Sequence, residues 1–112
     1  MNRRAVPRAK VDILINRFLD GHPYMCRMID ISPTGSRLVP LLEPRTPGRY
    51  MGLQFQLPGT DTVVTASAEV VNGNAGPAGR GVGPAGHAAT GVRFTSLSRE
   101  SASLIRRFVE AS

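Results

Sequence analysis

The chain is built from short segments in which apolar and polar residues alternate, each closed by a turn signal. In the first, Val11 to Phe18, residues Val11, Ile13 and Ile15 fall on one face. Asp12 and Asn16 fall on the other with Leu14, the two-residue period of a strand. Asp20-Gly21-His22-Pro23 marks a turn, and Tyr24 to Ile31 is a second extended run, so the two predict a hairpin. Ser32-Pro33-Thr34-Gly35 is a tight turn, in which Pro fixes φ and Gly accepts positive φ. Ser36 to Leu42 is a third strand, and Glu43 to Gly48, with two prolines, is a loop. Tyr50 to Leu57 sets Met51, Leu53, Phe55 and Leu57 against Gly52, Gln54 and Gln56, the signature of a half-buried antiparallel strand. Pro58-Gly59-Thr60-Asp61 turns the chain into a long strand of β-branched and small residues, Val63 to Val71.

Asn72 to Thr90 differs in kind. It is nearly all Gly, Ala, Pro and Asn, and Gly76-Pro77-Ala78-Gly79 is repeated as Gly83-Pro84-Ala85-Gly86. Such a segment buries too little apolar surface to offset its ordering entropy, so a mobile loop over 72–90 is expected. Gly81-x-Gly83-x-x-Gly86 matches a dinucleotide-binding fingerprint in letters alone, because Pro84 lies inside it, no helix opens after it and no βαβ unit surrounds it. Gly91 to Thr95 is a last strand. Ser98 to Glu110 then reads as a helix, with Ser98 as N-cap, Glu100 in the first turn and Arg106 and Arg107 near the end, as the helix dipole favours. Leu97, Ser101, Leu104, Ile105, Phe108 and Val109 recur at helical spacing and give it one apolar face, suited to plugging or covering a barrel, or else to docking a partner. The expected fold is therefore mainly β: a six-stranded antiparallel β-barrel with a C-terminal α-helix. It forms one domain over 1–112, with a flexible basic arm at 1–9, the barrel at 10–95 and the helix at 98–110.

Composition narrows the chemistry. The 41% apolar content suits one packed core in 112 residues. No stretch of about 18 apolar residues and no signal-peptide pattern occurs, so no membrane insertion is expected. The single Cys26 cannot form an internal disulfide, which points to a reducing cytoplasm and to a small buried apolar role for that thiol. Met25, Met28 and Met51 are read as core. His22 lies in a turn and His87 in the Gly/Ala/Pro tract, poor places to hold a catalytic base, and no Cys/His/carboxylate cluster has metal-ligand spacing. A non-catalytic protein without metal or cofactor is expected.

Charge is unevenly placed. The formal net charge is +6, and the first ten residues hold Arg3, Arg4, Arg8 and Lys10 with no acid. That cluster is either a solvated basic tail or an anion-binding arm. Lys10 is the only lysine among 14 basic residues, and arginine offers a planar fork of donors for phosphate or a guanine edge. The complementary feature is Asp30-Ile31-Ser32-Pro33-Thr34-Gly35 at the exit of the second strand. Its carboxylate can accept from the N–H groups of a base, its hydroxyl can donate or accept, and Gly35 permits close backbone approach. The same motif is also ordinary turn chemistry, because Asp and Ser side chains bond their own backbone. An acidic acceptor beside arginines suits a small ligand carrying both guanine and phosphate.

Taken in order, Arg3-Arg4-Ala5-Val6-Pro7-Arg8, then Asp30-Ile31-Ser32-Pro33-Thr34-Gly35 about 20 residues on, then Gly91-Val92-Arg93-Phe94 before a terminal helix, the chain resembles the PilZ domain family, bacterial receptors for cyclic di-GMP. The resemblance implies a six-stranded barrel with the ligand on its outer surface. It implies that Arg4 and Arg8 clamp phosphates and guanine edges, that Asp30 and Ser32 hold a guanine, and that Gly35 shapes the turn. Arg3, ahead of that pair, is associated in the family with an intercalated ligand dimer. On this reading the chain is an effector that orders its arm on binding cyclic di-GMP and passes the signal to a protein partner not named by the sequence. The family's aromatic residue at the end of the long strand is absent, since that region reads Val70-Val71-Asn72. Arg93 is either a surface ion-pair partner or an outer ligand contact. Two other functions compete: a small basic barrel binding single-stranded nucleic acid, disfavoured because most of the six aromatics fall at core positions, and a degenerate adaptor that binds only protein.

Overall fold

A computed structural model describes residues 7–41, 48–72 and 89–112. The expectations for Arg3 and Arg4, for most of the 43–48 loop and for 73–88 of the long loop lie outside the described residues. The strands are β1 (Ala9–Leu19), β2 (His22–Ile31), β3 (Gly35–Pro40), β4 (Tyr50–Phe55), β5 (Val64–Asn72) and β6 (Thr90–Leu97), followed by α1 (Arg99–Ala111). They close a barrel in the order β1-β2-β3-β6-β5-β4, with every pairing antiparallel. The expected fold class holds.

Alternation decides which side chains enter the barrel. Ile15, Leu19, Cys26, Met28, Leu38, Leu53, Phe55, Val64, Ala66 and Val92 are all buried in one core. Met25 departs from the sequence reading: it is 45% exposed. Register explains this, because Met25 pairs with Asn16 on the outer face while its neighbour Cys26 turns inward. Leu14 stands beside it on the outside, as its polar companions require.

The first hairpin turns on Asp20 and Gly21 alone, with φ of 53° and 80°, the left-handed pair that a two-residue turn matched to strand twist demands. His22 and Pro23 therefore belong to β2 rather than to the turn. Pro23 is tolerated because β3 pairs with β2 only from Cys26 onward, so the missing N–H leaves no ladder bond unmade on that side.

Helix α1 starts as its cap predicts: the Ser98 side chain accepts from the Ser101 N–H at 3.0 Å. It buries Ser101, Ile105 and Val109, and Leu104 and Phe108 pack partly against the barrel core. The apolar face thus covers the barrel. Because α1 runs on to Ala111, Arg106 and Arg107 fall short of its last turn, which holds no basic residue, and the dipole argument applies only to Glu100 at the start.

Two irregularities position the site. The β2–β3 register shifts between Met28 and Asp30, and the β5–β6 register shifts between Val70 and Asn72. Ile29 and Val71 are the extra residues. The first shift changes the facing pattern of β2: Cys26 and Met28 point inward, and past Ile29 it is Ile31 that is buried while Asp30 faces the outer surface.

Candidate functional site

The Ser32-Pro33-Thr34-Gly35 turn is closed by its own hydroxyl. The Ser32 N–H donates to the Gly35 carbonyl at 2.8 Å. Ser32 Oγ accepts from the N–H groups of Thr34 (3.2 Å) and Gly35 (3.1 Å) and lies 3.3 Å from the Gly35 carbonyl oxygen. Ser32 is buried, and its hydroxyl serves the turn backbone first. Gly35 is required for a reason other than positive φ, which it does not adopt. A Cβ there would sit 2.2 Å from the Val92 carbonyl oxygen, so glycine is what lets β3 lie against β6. The Phe94 N–H donating to the Thr34 carbonyl at 2.8 Å stitches the turn to β6.

Asp30 leaves β2 just past the shifted register and pairs with Lys10 of β1 and Arg37 of β3. Its carboxylate accepts from the Arg37 N–H at 3.0 Å. It faces two guanidinium groups, Arg8 at 3.7 Å and Arg37 at 3.6 Å. Arg8 and Asp30, some 20 residues apart in sequence, thus meet on the outer barrel surface. Both arginines are nearly half exposed, so each loose pair contributes at most about 1 kcal/mol. A guanidinium held so weakly can turn to a phosphate, where a charge-assisted bond contributes roughly 1.5–3 kcal/mol.

These groups line a cavity of about 260 Å³ on the outer surface over β2, β3 and β6, together with Thr34, Ser36, Val71, Gly91 and Arg93. A second charge cluster adjoins the cavity through Arg93. Glu69 of β5 accepts from Arg93 at 2.6 Å and faces Arg49 at 3.4 Å. Counting Arg8, Arg37, Arg49 and Arg93 against Asp30 and Glu69, the surface carries two excess positive charges.

Among the expected residues the structure therefore gathers Arg8, Asp30, Ser32 and Gly35. Arg37 and Glu69 join them without belonging to any of the sequence motifs, and Arg93 is both an ion-pair partner and a lining residue. Arg37 follows Gly35 at strand spacing, a signal present in the sequence. Glu69 gave none, because its place depends on the β5–β6 register. Val71, on the outward-facing set of β5 with Thr65 and Ser67, is 56% exposed and occupies the cavity wall. Among the described residues no three His, Cys, Asp or Glu side chains converge as a metal site, and no helix is long and apolar enough to cross a membrane.

Comparison with known proteins bears on this surface. The family model of the PilZ domain matches residues 2–111. The chain belongs to the PilZ domain family. A search of curated proteins finds no match. Among solved structures, this PilZ chain is similar to the Bacillus subtilis inhibitor of motility MotI/DgrA, with a TM-score of 0.73, 13% identity and 99% of the chain covered. It spans about half, 51%, of that protein's length. It is also similar to the PilZ domain of YcgR from Escherichia coli, solved with c-di-GMP, with a TM-score of 0.65, 14% identity and coverage of 98% of this chain and 91% of the other. A Legionella protein, Lpg0364, matches with a TM-score of 0.57 and 15% identity over 93% of this chain and 90% of its own. At these identities the likenesses establish a shared fold.

Proposed function

We propose that this PilZ domain is a non-catalytic cyclic di-GMP effector whose ligand sits on the outer barrel face between Asp30 and Arg93. The observation that carries the reading is the meeting of Arg8 and Asp30 across about 20 residues of sequence, at 3.7 Å on the rim of the cavity. Family membership supports the ligand class, and the YcgR domain in its c-di-GMP complex has the same fold.

In this reading each residue has a distinct task. Asp30 accepts from the Watson–Crick N–H edge of a guanine. Arg8, with Arg3 and Arg4 of the basic arm, takes the phosphates and the O6/N7 edge. Ser32 and Gly35 act by holding the turn: the hydroxyl fixes the loop and the missing Cβ keeps β3 and β6 together. A cavity of about 260 Å³ is at the small end for a ligand site, so one base with its phosphate fills it and the rest of the ligand lies on the open surface. Arg3 favours two intercalated ligands. Closing of the arm over them changes the charge of this face, which a protein partner then reads.

Isothermal calorimetry with cyclic di-GMP tests the reading. The wild-type chain is expected to bind at micromolar affinity or tighter. Arg8→Ala and Asp30→Ala are expected to weaken binding at least about tenfold each while the circular dichroism spectrum is unchanged. No heat from folded wild-type protein would overturn it.

A further inference from the structure

The cavity accommodates only part of a cyclic dinucleotide, and what lies next to it is not featureless. Tyr50 of β4 pairs with Glu69 of β5, Glu69 with Arg93 of β6, and Arg93 with Gly35 of β3. Residues in direct register share a face. The four therefore form one row across the outside of the barrel, running from the turn of the proposed ligand site to Tyr50. Two strand spacings separate Arg93 from Tyr50, about 10 Å. That is the length of a short stack of purines at about 3.4 Å per step.

Tyr50 is 65% exposed, the most exposed large hydrophobic residue among those described. An aromatic ring left in water on a barrel whose other described aromatics are at least partly buried calls for an explanation. The Arg49 guanidinium lies over the ring, 5.9 Å from its centroid. The same guanidinium faces Glu69 at 3.4 Å, and Glu69, only 14% exposed, also holds Arg93 of the cavity wall. One carboxylate thus couples the cavity to the ring. With Arg49 over one face and most of the residue in solvent, the opposite face of Tyr50 is open to a planar group.

We propose that Tyr50, backed by Arg49 and aligned by Glu69, is a second subsite of this surface, on which a purine base of the bound cyclic dinucleotide stacks. The inference rests on the ligand class proposed above. It supplies, from β4, the aromatic contact that Val70-Val71-Asn72 at the end of β5 does not. Tyr50 stacks on the base directly. Arg49 and Glu69 are positioning residues: Arg49 covers the ring's other face, and Glu69 anchors both arginines.

The chain has two tyrosines and no tryptophan, so intrinsic fluorescence reads the contact. Saturating cyclic di-GMP is expected to quench tyrosine emission in wild type and in Tyr24→Phe, but not in Tyr50→Phe. Calorimetry is expected to show Tyr50→Ala weakening Kd about tenfold, with Tyr50→Phe, which keeps the ring, within about twofold of wild type. Tyr50 is exposed, so both variants should keep the wild-type circular dichroism spectrum. Wild-type binding with an unchanged Kd in Tyr50→Ala and no quench overturns the subsite and leaves the cavity reading standing. Failure of wild type to bind cyclic di-GMP at all overturns both. A Tyr50→Phe variant as weak as Tyr50→Ala also overturns it, because stacking does not need the hydroxyl.

Discussion

Gly35→Ala isolates the backbone contact that holds the proposed site together. The added methyl would lie 2.2 Å from the Val92 carbonyl oxygen and 3.3 Å from the Arg93 Cα, both backbone atoms that cannot swing aside. Gly35 pairs directly with Arg93, so β3 and β6 must move apart at that rung. Forcing a methyl into a closed contact costs about 1–3 kcal/mol. Strand separation also weakens the 2.8 Å bond from the Phe94 N–H to the Thr34 carbonyl, adding about 0.5–1.5 kcal/mol. The stiffer unfolded chain returns about 0.4–1 kcal/mol. The net loss is about 2 kcal/mol. With a urea slope of about 1–3 kcal/mol/M, the midpoint should fall by about 1 M with the slope unchanged. Gly52→Ala is the internal control. Its Cβ would meet Phe18 Cβ at 3.6 Å, ordinary contact, at ordinary φ. That variant should match wild type or gain up to about 1 kcal/mol. Equal midpoints for the two variants, or a Gly35→Ala loss under about 0.5 kcal/mol, would refute the close-approach argument.

Other expectations follow from the same geometry. Ile105→Ala, at a fully buried position on α1, should lose about 2–5 kcal/mol in thermal or urea unfolding. Ser98→Ala removes the cap on the Ser101 N–H and should lose about 1 kcal/mol. Asp30→Asn keeps the size of the side chain and an oxygen to accept from the Arg37 N–H, and breaks only loose ion pairs to two half-exposed arginines, so urea unfolding should show a change within about 1 kcal/mol. Calorimetry on that same variant should show cyclic di-GMP binding reduced at least about tenfold, since the charged acceptor is gone.

What the sequence disclosed depended on how local the cause was. Asp20-Gly21 names its own turn, because the two residues alone supply the positive φ values. Ser98 names its own helix start. The strands of the barrel were legible from alternation, and their ends shifted by a few residues because pairing partners, not local pattern, decide where a strand stops. Long-range register was not legible. Met25 has the composition of a core residue and faces water, since its pairing with Asn16 puts it outside. Glu69 joins the candidate site only because the β5–β6 pairing sets it against Arg93. Gly35 shows a subtler gap: glycine was the right residue to single out, yet positive φ was the wrong reason. The constraint is a carbonyl on a strand nearly sixty residues away. Within the candidate site, the motif residues Arg8, Asp30, Ser32 and Gly35 were identifiable in advance, whereas the Arg37–Asp30 and Arg49–Glu69–Arg93 contacts needed the folded barrel.

The central claim is that cyclic di-GMP binds at the Arg8–Asp30 face, and a two-dimensional amide NMR titration of the wild-type chain tests it most directly. Saturating ligand is predicted to shift the amides of Arg8, of residues 30–32 and 34–37, and of Gly91 to Arg93. Those of Asn16, Met25 and Gln54, on β1, β2 and β4 away from the cavity, should stay in place. An unchanged spectrum at saturating ligand, or shifts confined to Asn16, Met25 and Gln54, would contradict the account.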